Sequence, residues 1–194
     1  MLAAIAAVSR ELFVAPELRG RAWHNSPLPI GAGQTISQPL VVARMCEALR
    51  LCGEERILDV GTGSGYHAAI LARLGRSVVS IERHPGLSQQ ARENLAAAGI
   101  ENVTLIIGDG SKGHPEQAPY DAINVAAAAT KGLPQALLEQ LAPNGRLIAP
   151  VAQGTGQRLI LAERTDTDTR YQDLGPVRFV PLGHGLAESI HGRD

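Results

Sequence analysis

From Arg56 onward the chain alternates short apolar runs with stretches of helical periodicity. Arg56–Val60 reads as a short buried strand, residues 61–65 as a glycine-rich turn, and Tyr66–Leu74 as a helix ended by Gly75. The alternation then repeats. Strands are predicted at Ser77–Glu82, Val103–Ile107, Tyr120–Val125, Arg146–Val151, Arg158–Arg164 and Val177–Val180. Helices are predicted at Leu87–Ala98, ended by Gly99, and at Gln135–Leu141, stopped by Pro143-Asn144-Gly145. Strand–helix–strand alternation implies an α/β fold with a doubly wound, seven-stranded, mostly parallel sheet and helices on both faces. The last strands have no helix between them, only the polar stretch Thr165–Asp173, which predicts an antiparallel edge.

The first part of the chain reads differently. Residues 1–20 predict a helix followed by a turn at Pro16 and Gly20. Residues 21–39 form an extended loop rich in proline and glycine, and a loop of this length inside a compact fold is usually functional. Pro39 opens a helix over Leu40–Leu51, with Val41, Met45 and Leu49 as its apolar stripe. With no repeat or low-complexity tract, residues 1–194 are expected to form one domain, the helix and loop of 1–39 packed on the sheet.

Composition narrows the partners. Net charge is -1, from 18 basic and 19 acidic residues, which leaves no electrostatic argument for nucleic acid. Aromatics are 3% of residues, too few for a base-stacking platform. No apolar run approaches the ~20 residues of a membrane span, and Met1–Val8 lacks the basic leader of a signal peptide. A cytoplasmic protein, favoured as a monomer, is expected. Cys46 and Cys52, if both helical, sit about 600° apart in rotation and match neither redox nor zinc spacing. The six histidines are scattered without a ligand pair, so no metal is expected.

The strongest local signal is Asp59-Val60-Gly61-Thr62-Gly63-Ser64-Gly65-Tyr66, a strand running into a glycine turn that opens a helix. Glycines there let a ligand approach the backbone, and the helix start offers free N–H groups. A dinucleotide fingerprint would need its third glycine at Tyr66, whereas here it is Gly65. Asp59 would also repel a pyrophosphate. S-adenosylmethionine carries an ammonium and a sulfonium and no phosphate, so an acid beside the turn favours it. Glu82, with Arg83 next to it, ends the second strand of the alternation, where an acid is placed to bond ribose hydroxyls. Asp109-Gly110 follows the third, placed to accept from the adenine amino group, although Asp-Gly is also a common turn pair.

The segment Leu28-Pro29-Ile30-Gly31-Ala32-Gly33-Gln34-Thr35-Ile36-Ser37-Gln38-Pro39 resembles the signature loop of the protein-L-isoaspartate O-methyltransferase family. Asp59–Tyr66, Gly108-Asp109-Gly110, Pro150-Val151 and Phe179-Val180-Pro181-Leu182 extend the resemblance from about Val8 to Gly185. It implies a Rossmann-like fold and transfer of a methyl group from S-adenosylmethionine, leaving S-adenosylhomocysteine. The acceptor it implies is the α-carboxylate of an isoaspartyl residue in a damaged peptide or protein. The ester then closes to a succinimide whose hydrolysis restores some aspartate, which is protein repair.

A carboxylate is ionised at neutral pH, so the transfer needs alignment more than a general base. The resemblance makes Ser37 the active-site serine, holding the carboxylate, though a residue before a helix also reads as its N-cap. Thr35, Ile36, Gln38, His67 and Ala126 are expected to shape the acceptor side, although His67 also reads as a half-exposed helix residue. The chain departs from the family's usual residues at Leu40, where an aromatic is common, at His67, where glutamine is common, and at Ala126. An alternative acceptor follows from these departures: a dedicated peptide aspartate or a small-molecule acid.

Overall fold

A computed structural model describes residues 1–187. A seven-stranded sheet forms its centre, in the order β5-β4-β3-β6-β7-β8-β9. Strands β3 (Arg56–Val60), β4 (Ser77–Glu82), β5 (Val103–Ile107), β6 (Tyr120–Val125) and β7 (Leu141–Gln153) run parallel. Strands β8 (Gly156–Arg164) and β9 (Thr169–Val177) add antiparallel to that edge. Helices α2 (Pro39–Leu49), α3 (Tyr66–Leu74) and α4 (Pro85–Ala97) bury one face of the sheet, and α5 (Gln135–Glu139) packs on the other. Alternation along the strands feeds both layers: Ile57, Val78 and Ala122 enter one core, while Leu58, Val79 and Ile123 enter the other.

Several boundaries differ from the expectations. The N-terminal helix is α1, only Leu2–Ala7, followed by 3-10 turns at Arg10–Phe13 and Pro16–Arg21. The extended loop contains a hairpin, β1 (Leu28–Gly31) paired antiparallel with β2 (Gln34–Ile36). Gly31, Ala32 and Gly33 all take positive φ at its tip. Helix α2 ends at Leu49, where Arg50 turns left-handed, so Cys52 lies beyond the helix. Helix α5 ends at Glu139, and β7 begins at Leu141 through an irregular register opposite Tyr120. The seventh strand of the main sheet is the polar stretch Thr169–Val177 rather than Val177–Val180. It is an edge strand held by backbone pairing and the Arg158–Asp173 ion pair (2.8 Å), so it needs no apolar face.

Candidate active site

The turn between β3 and α3 is shaped by glycine. Gly61, Gly63 and Gly65 have φ of 93°, 55° and 90°, which side chains of L-residues rarely adopt. A Cβ on Gly65 would lie 3.3 Å from both Ala91 and Leu95 of α4. Glu82, the buried last residue of β4, turns back on this loop. Its Oε2 accepts from the Gly63 N–H at 2.8 Å and its Oε1 from the His84 N–H at 3.0 Å. Each oxygen keeps lone-pair capacity for further donors.

Three cavities share walls around the turn. The first is lined by Gly61, Gly63, Glu82, Arg83, His84 and Gly110, together with Val180–Gly183. It opens at the carboxyl ends of the parallel strands, where sheets of this type bind ligands. The second, about 510 Å³, is lined by Pro27, Ser37, Gln38, Val41, Arg178 and Phe179. The third, about 40 Å³, lies against Ile36, Ser37, Thr62, Ser64, Tyr66 and His67. Thr35 and Ala126 belong to all three.

Asp59 lies behind the turn. Its carboxylate is fully buried and accepts from Ser80 Oγ and Asn124 Nδ2, both at 2.7 Å. Burial pushes its pKa up, against the pull of those two hydrogen bonds. The thread continues from Ser80 Oγ to Thr62 Oγ1 (2.6 Å). On the other side it runs from Asn124 Nδ2 to His67 Nδ1 (3.3 Å) and from His67 Nε2 to Cys46 Sγ (3.5 Å). If Asn124 donates to Nδ1, the His67 proton sits on Nε2, a tautomer assigned from the network. Burial lowers the His67 pKa to about 4 and raises the Cys46 thiol to about 12. His67 is therefore a buried neutral ring, not a half-exposed one.

The third acid is tied to the chain's own C-terminal segment. Asp109 Oδ1 accepts from Ser111 N–H and Oγ, and Oδ2 from Gly185 N–H at 2.8 Å. Partial burial pushes its pKa up, but these bonds and nearby Lys112 outweigh that and hold the carboxyl below its ordinary value. Arg83 donates to the His184 and Gly185 carbonyls, each at 3.1 Å. Residues 183–187 thus lie across the ends of β4 and β5. The part of Gly183 in the first cavity, like that of Arg178 in the second, is not evident from periodicity; the Phe179–Leu182 stretch is the nearest signal.

The first cavity fits S-adenosylmethionine on the donor set present. Glu82 offers a carboxylate to hydroxyls or a cation, Gly63 leaves room at the backbone, and no phosphate has to be met. Among the described residues no group of three or more His, Cys, Asp or Glu side chains is placed to hold a metal ion. Fold and site define a class I methyltransferase with S-adenosylmethionine as cofactor.

The family model for protein-L-isoaspartate(D-aspartate) O-methyltransferase matches residues 1–187, and the chain belongs to that family. A relative from Methanoregula boonei named protein-L-isoaspartate O-methyltransferase is 52% identical over 94% of this chain and 83% of its own. One of the same name from Myxococcus xanthus is 52% identical over 94% of this chain and 87% of its own. A solved protein-L-isoaspartate O-methyltransferase superposes with a TM-score of 0.82 at 30% identity over 93% of this chain, which spans 60% of that structure's length. A putative Plasmodium falciparum family member, in complex with S-adenosyl-L-homocysteine, gives 0.79 at 27% identity, covering 93% of this chain and 88% of that one. Among the described residues no helix is long and apolar enough to cross a membrane.

Proposed function

We propose that the chain methylates the α-carboxylate of L-isoaspartyl residues in damaged peptides and proteins, and that residues 1–194 act as one methyltransferase domain. The names carried by relatives at about half identity support this acceptor. The structural observation that carries it is the placement of Ser37. Ser37 lines the second cavity, which adjoins the first through Thr35, Ala126 and Val180.

In this reading Gly61–Tyr66, Glu82, Arg83 and Gly110 hold the cofactor; Asp59 and Asp109, expected to face it, are not among the residues lining the first cavity, because Ser80 and Asn124 take up the first carboxylate and Ser111 and Gly185 the second, and they support the site from behind. Bound S-adenosylmethionine supplies an electrophilic methyl group on a sulfonium. Ser37 holds the acceptor carboxylate by donating its hydroxyl proton, and it undergoes no acylation. Thr35 and Ala126 shape the passage between the two cavities, Gln38 lines the second, and Ile36 and His67 line the third beside it. The carboxylate is the nucleophile and is already ionised at neutral pH, so no proton has to be removed. The protein contributes alignment and exclusion of water.

The test is radiolabelled methyl transfer to matched isoaspartyl and aspartyl peptides, with Ser37→Ala alongside. Base-labile label on the isoaspartyl peptide, reduced about 10–100-fold in the variant, is expected for one lost hydrogen bond to a carboxylate. Label on the aspartyl peptide instead would refute the acceptor assignment. An unchanged rate in Ser37→Ala would refute the role of the hydroxyl.

A further inference from the structure

Arg10 has no solvent exposure and, among the described residues, no acidic partner. A buried guanidinium is ordinarily paired with a carboxylate, because an uncompensated charge is costly to desolvate. Here it is held by main-chain carbonyls instead. It donates to the carbonyl of Ala22, to that of Ser37 at 2.8 Å and to that of Ser26 at 3.4 Å. Its carbon lies 5.7 Å from the centroid of the Tyr66 ring, and its Nε has no partner. Burial lowers its pKa, but a group this basic keeps its proton at neutral pH.

Those contacts tie together three parts of the site. Ala22 and Ser26 belong to the segment leading into the hairpin, Ser37 lines the second and third cavities, and Tyr66 starts α3 at the glycine turn. We propose that Arg10 is a positioning residue for methyl transfer: its fork fixes Ser37, and its uncompensated charge, one residue behind the cavity wall, biases that cavity toward an anionic acceptor. The proposal rests on the acceptor reading above. A fixed cation in a region of low dielectric acts over this short range with little screening. The geometry also suits arginine, since a planar fork presents separate nitrogens in fixed directions to these carbonyls where an ammonium presents a single point.

The full chain is tested, as the native protein and as Arg10→Lys and Arg10→Met. Affinities are measured, with S-adenosylhomocysteine present, for an isoaspartyl peptide and for the same peptide with its α-carboxylate replaced by a carboxamide. The native chain is expected to prefer the acid. Arg10→Met is expected to reduce that preference by about tenfold. Arg10→Lys is expected to keep the preference and lose about 10–100-fold in kcat, because Ser37 is no longer held. A merely structural role would lower both affinities together and leave their ratio unchanged. An unchanged ratio in Arg10→Met, or an unchanged kcat in Arg10→Lys, overturns the proposal. If Arg10→Met does not fold by circular dichroism, Arg10→Gln supplies the ratio under the same criterion. Native protein that fails to methylate the isoaspartyl peptide removes the acceptor reading itself, which separates that failure from a failure at Arg10.

Discussion

His67 should make the protein sensitive to mild acid, and the size of the effect follows from its surroundings. The ring is buried between Asn124 and Cys46, and among the described residues no carboxylate forms an ion pair with it to stabilise a second proton. Its pKa falls from the ordinary 6.5 to about 4 in the folded chain. In this window the unfolded chain binds a proton that the folded chain refuses. Stability from this group is therefore present above pH 6.5 and is lost as the pH falls toward 4. At about 1.4 kcal/mol per pH unit, the full loss is about 3 kcal/mol, most of it by about pH 4.5. His67→Gln keeps a donor and an acceptor without a titrating proton. Guanidinium denaturation of both proteins at pH 7 and 4.5 is the assay. The native chain is expected to lose about 2–3 kcal/mol more than the variant between those conditions. Asp59 opposes this slope, because its raised pKa in the folded chain makes stability fall as pH rises above the ordinary carboxylate range. It is present in both proteins and largely cancels in the difference. Equal acid sensitivity in the two proteins would show that His67 is protonated in the fold or that the ring is wet, and the reasoning would be wrong.

Two further substitutions probe the turn. Gly65→Ala places a methyl group at a φ of 90° and 3.3 Å from Ala91 and Leu95. A loss of about 2–3 kcal/mol is expected, read as a fall in Tm of about 5–10 °C; a fall under about 2 °C would mean that the turn is not held against α4. Glu82→Gln presents an amide N–H where Gly63 or His84 now donates. It is expected to weaken S-adenosylhomocysteine binding by at least about tenfold in calorimetry, and undiminished affinity would remove Glu82 from the cofactor site.

What was legible in the sequence tracks how the strands are buried. Strands β3, β4 and β6 lie inside the sheet, so they appear as apolar runs bounded by turns. Strand β9 has one neighbour and is largely exposed, so its residues carry no periodicity to read. The hairpin strands, of 4 and 3 residues, are too short to show one. In the site, the glycine turn and Glu82 were readable because backbone geometry and strand ends constrain residue type. Asn124 left a trace as a polar residue inside Ala122-Ile123-Asn124-Val125. Arg10 left none, since an arginine flanked by Ser9 and Glu11 reads as solvated surface until the fold brings three carbonyls around it.

Asp59 also bears on how the sheet assembles. In the native register it stands directly across from Ser80 on one neighbouring strand and from Asn124 on the other. Slide either neighbour by one residue and its polar side chain turns to the opposite face, facing aliphatic residues. The carboxylate would then remain buried with a partner missing, at a cost of about 3–5 kcal/mol if it stays ionised. Valine and isoleucine runs pair almost equally well in several alignments, because one branched aliphatic resembles the next. The polar row gives these three adjacent strands a proofreading mark, and a sheet that closes out of step is disfavoured before any ligand is present to select the correct one.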